Sequence, residues 1–374
     1  MKKVFSALLC IVFLLLLTSC GQNITSTTDE KDTLILETKV IDINEFGSLL
    51  FDIIIDDFEK KGFTPGDSVN IEFEDTAEEG IPYFSGYYGE VGRIMLVADK
   101  TQKYISLNKN NMSYAKSSSA KIGDSVKIVL SEKGKYQDEE KLNHLEYTLD
   151  RKDYDSDEEF ANAREMKVSG IKEKMFYRSS TITSNKINRV KEATEFAEKN
   201  NVKMVINLSD DEKSLKTLYK EMTDFTKNLY EKGAIIAIKQ SVDFQSDEFI
   251  QGHIKALNEI SNNEGPYLIH CVEGKDRTGY FCALVEILAG GTYDEIINDY
   301  FITFKNYYGI TKENNARSYN YIKDTKIDTY LSFITSVEKK DLADTDLLSK
   351  VEHYLLSNGM SQEQLENVEK IIRK

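Results

Sequence analysis

Residues 270 to 279 read His-Cys-Val-Glu-Gly-Lys-Asp-Arg-Thr-Gly. In this run Cys271 and Arg277 are separated by five residues, and Thr278 carries a hydroxyl. These residue types at this spacing suit covalent displacement at phosphorus. Cys271 is placed to lie under the phosphorus atom as the nucleophile. Its thiolate is the competent form, and a helix N-terminus with nearby cations favours that form. Arg277 and Lys275 are those cations, and the planar fork of Arg277 can grip two phosphoryl oxygens. Thr278 can hydrogen-bond the sulfur and ease its departure when water cleaves the phosphocysteine. His270 can orient the loop from behind. Gly274 and Gly279 give the chain freedom to curl round an anion, and Glu273 completes the substrate-binding wall. A thiol intermediate of this kind divides one hard displacement into two easier ones.

Two elements must position this loop. Pro266-Tyr267-Leu268-Ile269 is short and apolar, as for a buried strand. Tyr280 to Ala289 is long enough for a helix and stops at Gly290-Gly291. Between a strand and a helix, the loop amides and the helix N-terminus all face one anion.

The loop resembles the phosphate-binding loop of cysteine-dependent protein tyrosine phosphatases. It is similar to the bacterial branch with Lys-Asp-Arg in the loop, which includes secreted tyrosine and phosphoinositide phosphatases. Phe176-Tyr177-Arg178-Ser179-Ser180 resembles the Tyr-Arg-Ser segment of that branch, and Val202 to Leu208 resembles the strand that follows. The resemblance covers about residues 155 to 335. It implies phosphomonoester hydrolysis without a cofactor, with phosphotyrosine in proteins as substrate and phosphoinositides or inositol phosphates as the alternative. Lys275, an added cation inside the loop, favours the alternative.

The leaving oxygen needs a proton, so a carboxylic acid must stand above the loop. Many tyrosine phosphatases carry it in a Trp-Pro-Asp loop, but this chain has no tryptophan. Two candidates remain. Asp276 lies inside the loop, where similar bacterial phosphatases use an aspartate. Asp243 follows the apolar strand Ala234 to Ile238, where a mobile acid loop is expected. Asp247 reads instead as the start of the next helix.

The N-terminus sets an address. Met1-Lys2-Lys3 precedes an apolar run from Val4 to Leu17, a basic start and apolar core of secretory-signal length. Leu17-Thr18-Ser19-Cys20 resembles the bacterial lipobox. By that resemblance Cys20 carries a lipid, and the mature protein is anchored outside the cytoplasm. The following residues are polar and read as a tether. The net charge is −15, or −17 once Lys2 and Lys3 are removed and 46 basic residues face 63 acidic ones. Such a surface repels nucleic acid. The cysteines are Cys10, Cys20, Cys271 and Cys282, so no disulfide scaffold is expected. Cys282 reads as a core residue. The four histidines lack ligand spacing, so no metal site is expected.

The organisation follows: a signal peptide (1–19), a tether (20–33), a smaller β-rich domain (34–149), a phosphatase-like domain (150–335) and a helical tail (336–374). Residues 33 to 150 hold strand-like runs at 34–43, 49–55, 69–73, 94–98, 104–107 and 126–130. Gly66-Asp67-Ser68-Val69 recurs as Gly123-Asp124-Ser125-Val126. Phe46-Gly47-Ser48 and Gly86-Tyr87-Tyr88 resemble a small β-barrel domain that accompanies some nucleoside-handling enzymes. Tyr83, Phe84, Tyr87 and Tyr88 read as packed aromatics or as a binding face. The acidic run Asp150 to Glu159 reads as a linker. Beyond it, strands near 202–208, 234–238 and 266–270 alternate with helices near 211–231 and 247–261. That order predicts an α/β domain with a mostly parallel central sheet flanked by helices. A different class of reading makes the chain a surface binding lipoprotein with the phosphatase fold as a platform; it expects a broken catalytic loop.

Overall fold

Alternation of apolar and polar residues builds the first unit of the chain, a closed seven-stranded barrel. The computed structural model describes residues 34–89, 92–110 and 112–374. Cys20 and the expected signal peptide and tether lie outside the described residues. Among the described residues, no helix is long and apolar enough to cross a membrane. The chain divides into two compact units at Lys133 and Gly134.

The barrel strands are β1 (Ile35–Ile43), β2 (Leu49–Ile54), β3 (Ser68–Glu72), β4 (Ala77–Phe84), β5 (Ile94–Val97), β6 (Tyr104–Lys109) and β7 (Ser125–Glu132). They close in the order β1-β2-β6-β5-β4-β3-β7. Closure leaves no strand edge unpaired. Val40, Phe51, Val69, Ile71, Leu107 and Ile128 point inward and are buried. The repeated Gly-Asp-Ser-Val is one turn used twice. Gly66 and Gly123 sit at φ +96° and +97°. Asp67 and Asp124 each accept from a backbone amide three residues back, Thr64 at 2.8 Å and Lys121 at 2.7 Å. Strand β4 has no counterpart in the sequence reading, because Gly80 and Pro82 break its pattern. Tyr83 and Phe84 are buried and Tyr88 packs edge-on to Phe84, so three of the four aromatics are packing residues.

The second unit holds a five-stranded sheet of β8 (Arg164–Glu165), β9 (Phe176–Ser179), β10 (Met204–Asn207), β11 (Ile235–Ala237) and β12 (Tyr267–His270), in the order β11-β10-β12-β9-β8. Strands β9 to β12 pair in parallel, and β8 pairs antiparallel to β9. The register aligns Ser179, His270, Asn207 and Ala237. All four therefore end at one edge, where such sheets bind ligands.

Four expectations change. The acidic run 150–159 is not a linker: Asp150 and Ser156 cap a short 3-10 turn (Arg151–Asp153) and a helical turn (Asp157–Phe160), while Tyr154 and Phe160 are buried against Tyr307. Its acidic residues cap and face solvent, and its aromatics fix it. The unit accordingly starts at Gly134, not at 150. The helix expected over 211–231 is two helices, Glu212–Leu218 and Asp224–Glu231, because Thr223 caps the second. The tail 336–374 is no separate segment. Its helices Leu347–Ser357 and Gln362–Ile372 place Val351, Leu355, Leu365, Val368 and Ile372 in the core that also holds Phe281 and Leu284.

Candidate active site

The helix Asp276–Leu288 is buried at every position from Thr278 to Leu288. A helix apolar on all sides must be central, and this one starts where the loop 271–275 leaves β12. Cys271 is buried and unpaired at the start of that loop. Each carbonyl from His270 to Gly274 is held from outside. His270 O accepts from the Leu208 amide at 2.8 Å, and Val272 O accepts from the Thr181 amide at 3.0 Å. Cys271 O accepts from His270 Nδ1 at 3.0 Å. Burial takes the His270 imidazole down to about 4, so it is neutral and donates this bond from Nδ1. Glu273 O accepts from the Tyr307 hydroxyl at 2.6 Å, and Gly274 O from Arg178 Nη2 at 3.0 Å. With these carbonyls already bonded elsewhere, the loop amides are left to serve as donors to an anion.

The two glycines serve different ends. Gly274 lies at φ +69°, and a Cβ there would meet Ser179 O at 2.3 Å. Gly279 needs no unusual backbone angle, contrary to the expectation: it lies within the helix and gives room to Tyr300, whose ring carbon would be 2.8 Å from a Cβ.

A buried charge cluster stands behind the loop. Arg178 is 1% exposed and meets Asp299 at 2.6 Å; Arg164 meets Asp299 at 2.7 Å. Asn162 donates to Gly274 O at 3.2 Å and to Thr303 Oγ1 at 3.2 Å. Burial works against the Asp299 charge, but the two guanidiniums hold its carboxyl far below the usual range. Burial and the Asp299 charge push the neighbouring Glu286 carboxyl well up. Breaking such a pair leaves a charge uncompensated and costs about 3–5 kcal/mol. Burial also pushes the Cys282 thiol up to about 12. Cys282 is thus an inert core residue.

At the rim, Lys275 Nζ lies 2.8 Å from Glu273 Oε2, 3.8 Å from Asp276 Oδ2 and 3.1 Å from the Tyr308 hydroxyl. Arg277 Nη1 donates at 3.3 Å to both Leu208 O and Gln240 O, beyond the ends of β10 and β11. Thr278 is fully buried, and its hydroxyl has no protein partner among the described residues. Of the two acid candidates, Asp276 occupies the first turn of the central helix, with its side chain 40% exposed. Asp243 is exposed, and its carboxylate accepts from the Gln245 amide at 3.2 Å within its own turn. The structure therefore brings Cys271, His270, Glu273, Gly274, Lys275, Asp276, Arg277 and Thr278 onto one loop and helix start, with Asp243 on a separate loop three residues beyond Gln240.

Beside Val272 opens a cleft of about 610 Å³, lined among others by Thr181, Ser184, Lys186, Ser209, Lys213 and Lys239. The sequence reading did not include Asn162, Asp299, Tyr147 or Tyr307. The available signal for Asp299 was a charged residue on the buried face of the amphipathic helix Tyr293–Tyr308.

The core catalytic domain of the PP-IP phosphatase SIW14 from S. cerevisiae, in complex with citrate, matches at 20% identity and TM-score 0.27, over 47% of this chain and 91% of that one. An uncharacterized conserved protein from Thermotoga maritima matches at 19% identity and TM-score 0.23, over 25% of this chain; the match spans only 35% of that protein. No curated protein matches the chain. The family model described as the tyrosine phosphatase family matches residues 153–374. That match takes in the β-sheet, the Cys271 loop and both tail helices, more than half of the chain: the protein belongs to the tyrosine phosphatase family.

Proposed function

We propose that this chain hydrolyses phosphomonoesters through a phosphocysteine on Cys271, with phosphotyrosine in proteins as its substrate. One observation carries the reading: five consecutive carbonyls, His270 to Gly274, are tied away from the loop centre above a buried cysteine. The intact loop speaks against a binding protein on a phosphatase platform.

The steps balance as follows. The Cys271 thiolate attacks phosphorus, an S–P bond forms and the P–O bond to the leaving group breaks. The loop amides and Arg277 hold the phosphoryl oxygens as charge develops. Asp276 gives its proton to the leaving oxygen. Water then attacks phosphorus, Asp276 takes the water proton, and the S–P bond breaks to return the thiolate and release phosphate. The buried Thr278 hydroxyl serves the departing sulfur. Asp276 is assigned as the acid because it shares the nucleophile's own loop and helix. The resemblance also implies phosphoinositides and inositol phosphates as alternative substrates, which Lys275 favours as an added cation. Glu273, 2.8 Å from Lys275, answers that charge.

The test is phosphate release by residues 21 to 374 from a phosphotyrosine peptide, a phosphoserine peptide and phosphoinositides. Preference for the tyrosine peptide supports the reading, and preference for the lipids moves the substrate to the alternative. Cys271→Ser is expected to lose turnover and keep phosphate affinity; turnover without Cys271 contradicts the mechanism. From residues 1 to 20 alone, we also propose lipid attachment at Cys20 and an extracytoplasmic, membrane-anchored location.

A further inference from the structure

Glu273 is the unusual member of the phosphate loop. A carboxylate in a loop built to hold an anion opposes the bound charge unless it serves another end. Its place in the structure supplies that end. Glu273 Oε2 lies 2.8 Å from Lys275 Nζ, and Glu273 Oε1 accepts from the Tyr147 hydroxyl at 2.9 Å. Tyr147 is itself fixed. Its ring stacks on Tyr307 at 4.7 Å and lies over the Arg189 guanidinium at 4.9 Å. Arg189 is fully buried among Tyr147, Tyr154, Phe160 and Tyr307. The carboxylate is therefore held in place over Lys275. Burial works to raise its carboxyl, yet Lys275 and Tyr147 bring it below the usual carboxylate range, so it stays ionised.

The charge balance at this side of the rim follows. Lys275 contributes one positive charge, and Glu273 answers it with one negative charge 2.8 Å away. Lys275 is only 18% exposed. A second phosphate on the substrate, arriving at this side, meets an ammonium already paired and the Glu273 carboxylate beside it. Like-charge juxtaposition of this sort is how sites reject competing ligands.

We propose that Glu273, held by Tyr147, is a specificity-determining residue: it occupies Lys275 and disfavours substrates that carry a second phosphate next to the scissile one. The inference rests on the phosphatase reading above and deepens it toward singly phosphorylated aryl esters.

The experiment compares kcat/KM on phenyl phosphate and on 1,2-phenylene bisphosphate, which differ only in the second phosphate. It uses the wild-type chain, Glu273→Gln and the double variant Glu273→Gln/Lys275→Gln. The wild type is expected to prefer the monophosphate. Glu273→Gln is expected to raise the bisphosphate-to-monophosphate ratio about tenfold, a little above the roughly fivefold effect of one unit charge about 4 Å away in bulk water. The double variant is expected to lose that gain, because freed Lys275 supplies it. A ratio unmoved by Glu273→Gln, or a gain that survives removal of Lys275, overturns the inference. Inhibition of the wild type needs no variant: pyrophosphate is expected to bind no more tightly than inorganic phosphate, and tenfold tighter binding overturns the inference even if Glu273→Gln fails to fold. A wild type that releases phosphate from neither ester overturns the phosphatase reading and this inference with it, whereas turnover with an unmoved ratio overturns this inference alone.

Discussion

Asp276 is the proposed proton donor because it stands at the start of a rigid helix that adjoins the nucleophile's loop. Asp276 stands five residues after Cys271 and opens the central helix, whereas Asp243 belongs to an exposed turn that satisfies its own carboxylate. Proton donation matters most when the leaving group is poor, where it contributes roughly 10²- to 10⁴-fold. Asp276→Asn is therefore expected to lose that much kcat/KM on a phosphotyrosine peptide and far less on an aryl ester with an acidic leaving phenol. Asp243→Asn is expected to change both by less than about threefold, as for a solvated carboxylate outside the reaction. The opposite pattern moves the acid to Asp243. At this scale the loop residues were legible from 270 to 279 because their chemistry is contiguous in sequence. Asp299, Asn162 and Tyr147 were not, because their partners Arg178, Gly274 and Glu273 lie at least 112 residues away in sequence. Only the folded chain brings these together.

Among the elements, strong periodicity or long apolar runs were legible and local conflicts were not. The strand before the loop, the helix after it and the helix Asp247–Asn262 all form near their expected places. Strand β4 was hidden because Gly80 and Pro82 argue against a strand, while closure of the barrel requires one there. The run 150–159 reads as a linker because its many acidic residues mask two spaced aromatics, Tyr154 and, just beyond it, Phe160. The stretch 147–160 bears on function. Tyr147 reaches Glu273, and Tyr154 and Phe160 enclose Arg189. A chain of residues 134–374 is therefore expected to keep the kcat/KM of the longer protein on phenyl phosphate. A chain of residues 153–374, the span of the family match, lacks Tyr147 and is expected to fall at least about tenfold or to lose stability, as when a buried cation loses its surroundings. Equal activity and equal thermal stability of the two fragments would show that the segment does not support the loop.

The whole molecule joins two units with separate cores, a closed barrel and an α/β phosphatase unit. Its net charge of −15 makes the bulk surface unfavourable to anions, so phosphate binding depends on a local field. That field comes from the inward amides, the start of a buried helix and Arg277, with Arg178 and Arg164 behind them. The central claim is that this field serves a covalent step at one sulfur. The most direct measurement is mass analysis of the wild-type chain quenched in acid during turnover of a phosphotyrosine peptide. The account expects one phosphoryl group on the peptide that contains Cys271, absent before substrate is added and absent in Cys271→Ser. Full turnover with no phosphoryl group on Cys271, or with one on another residue, would contradict it.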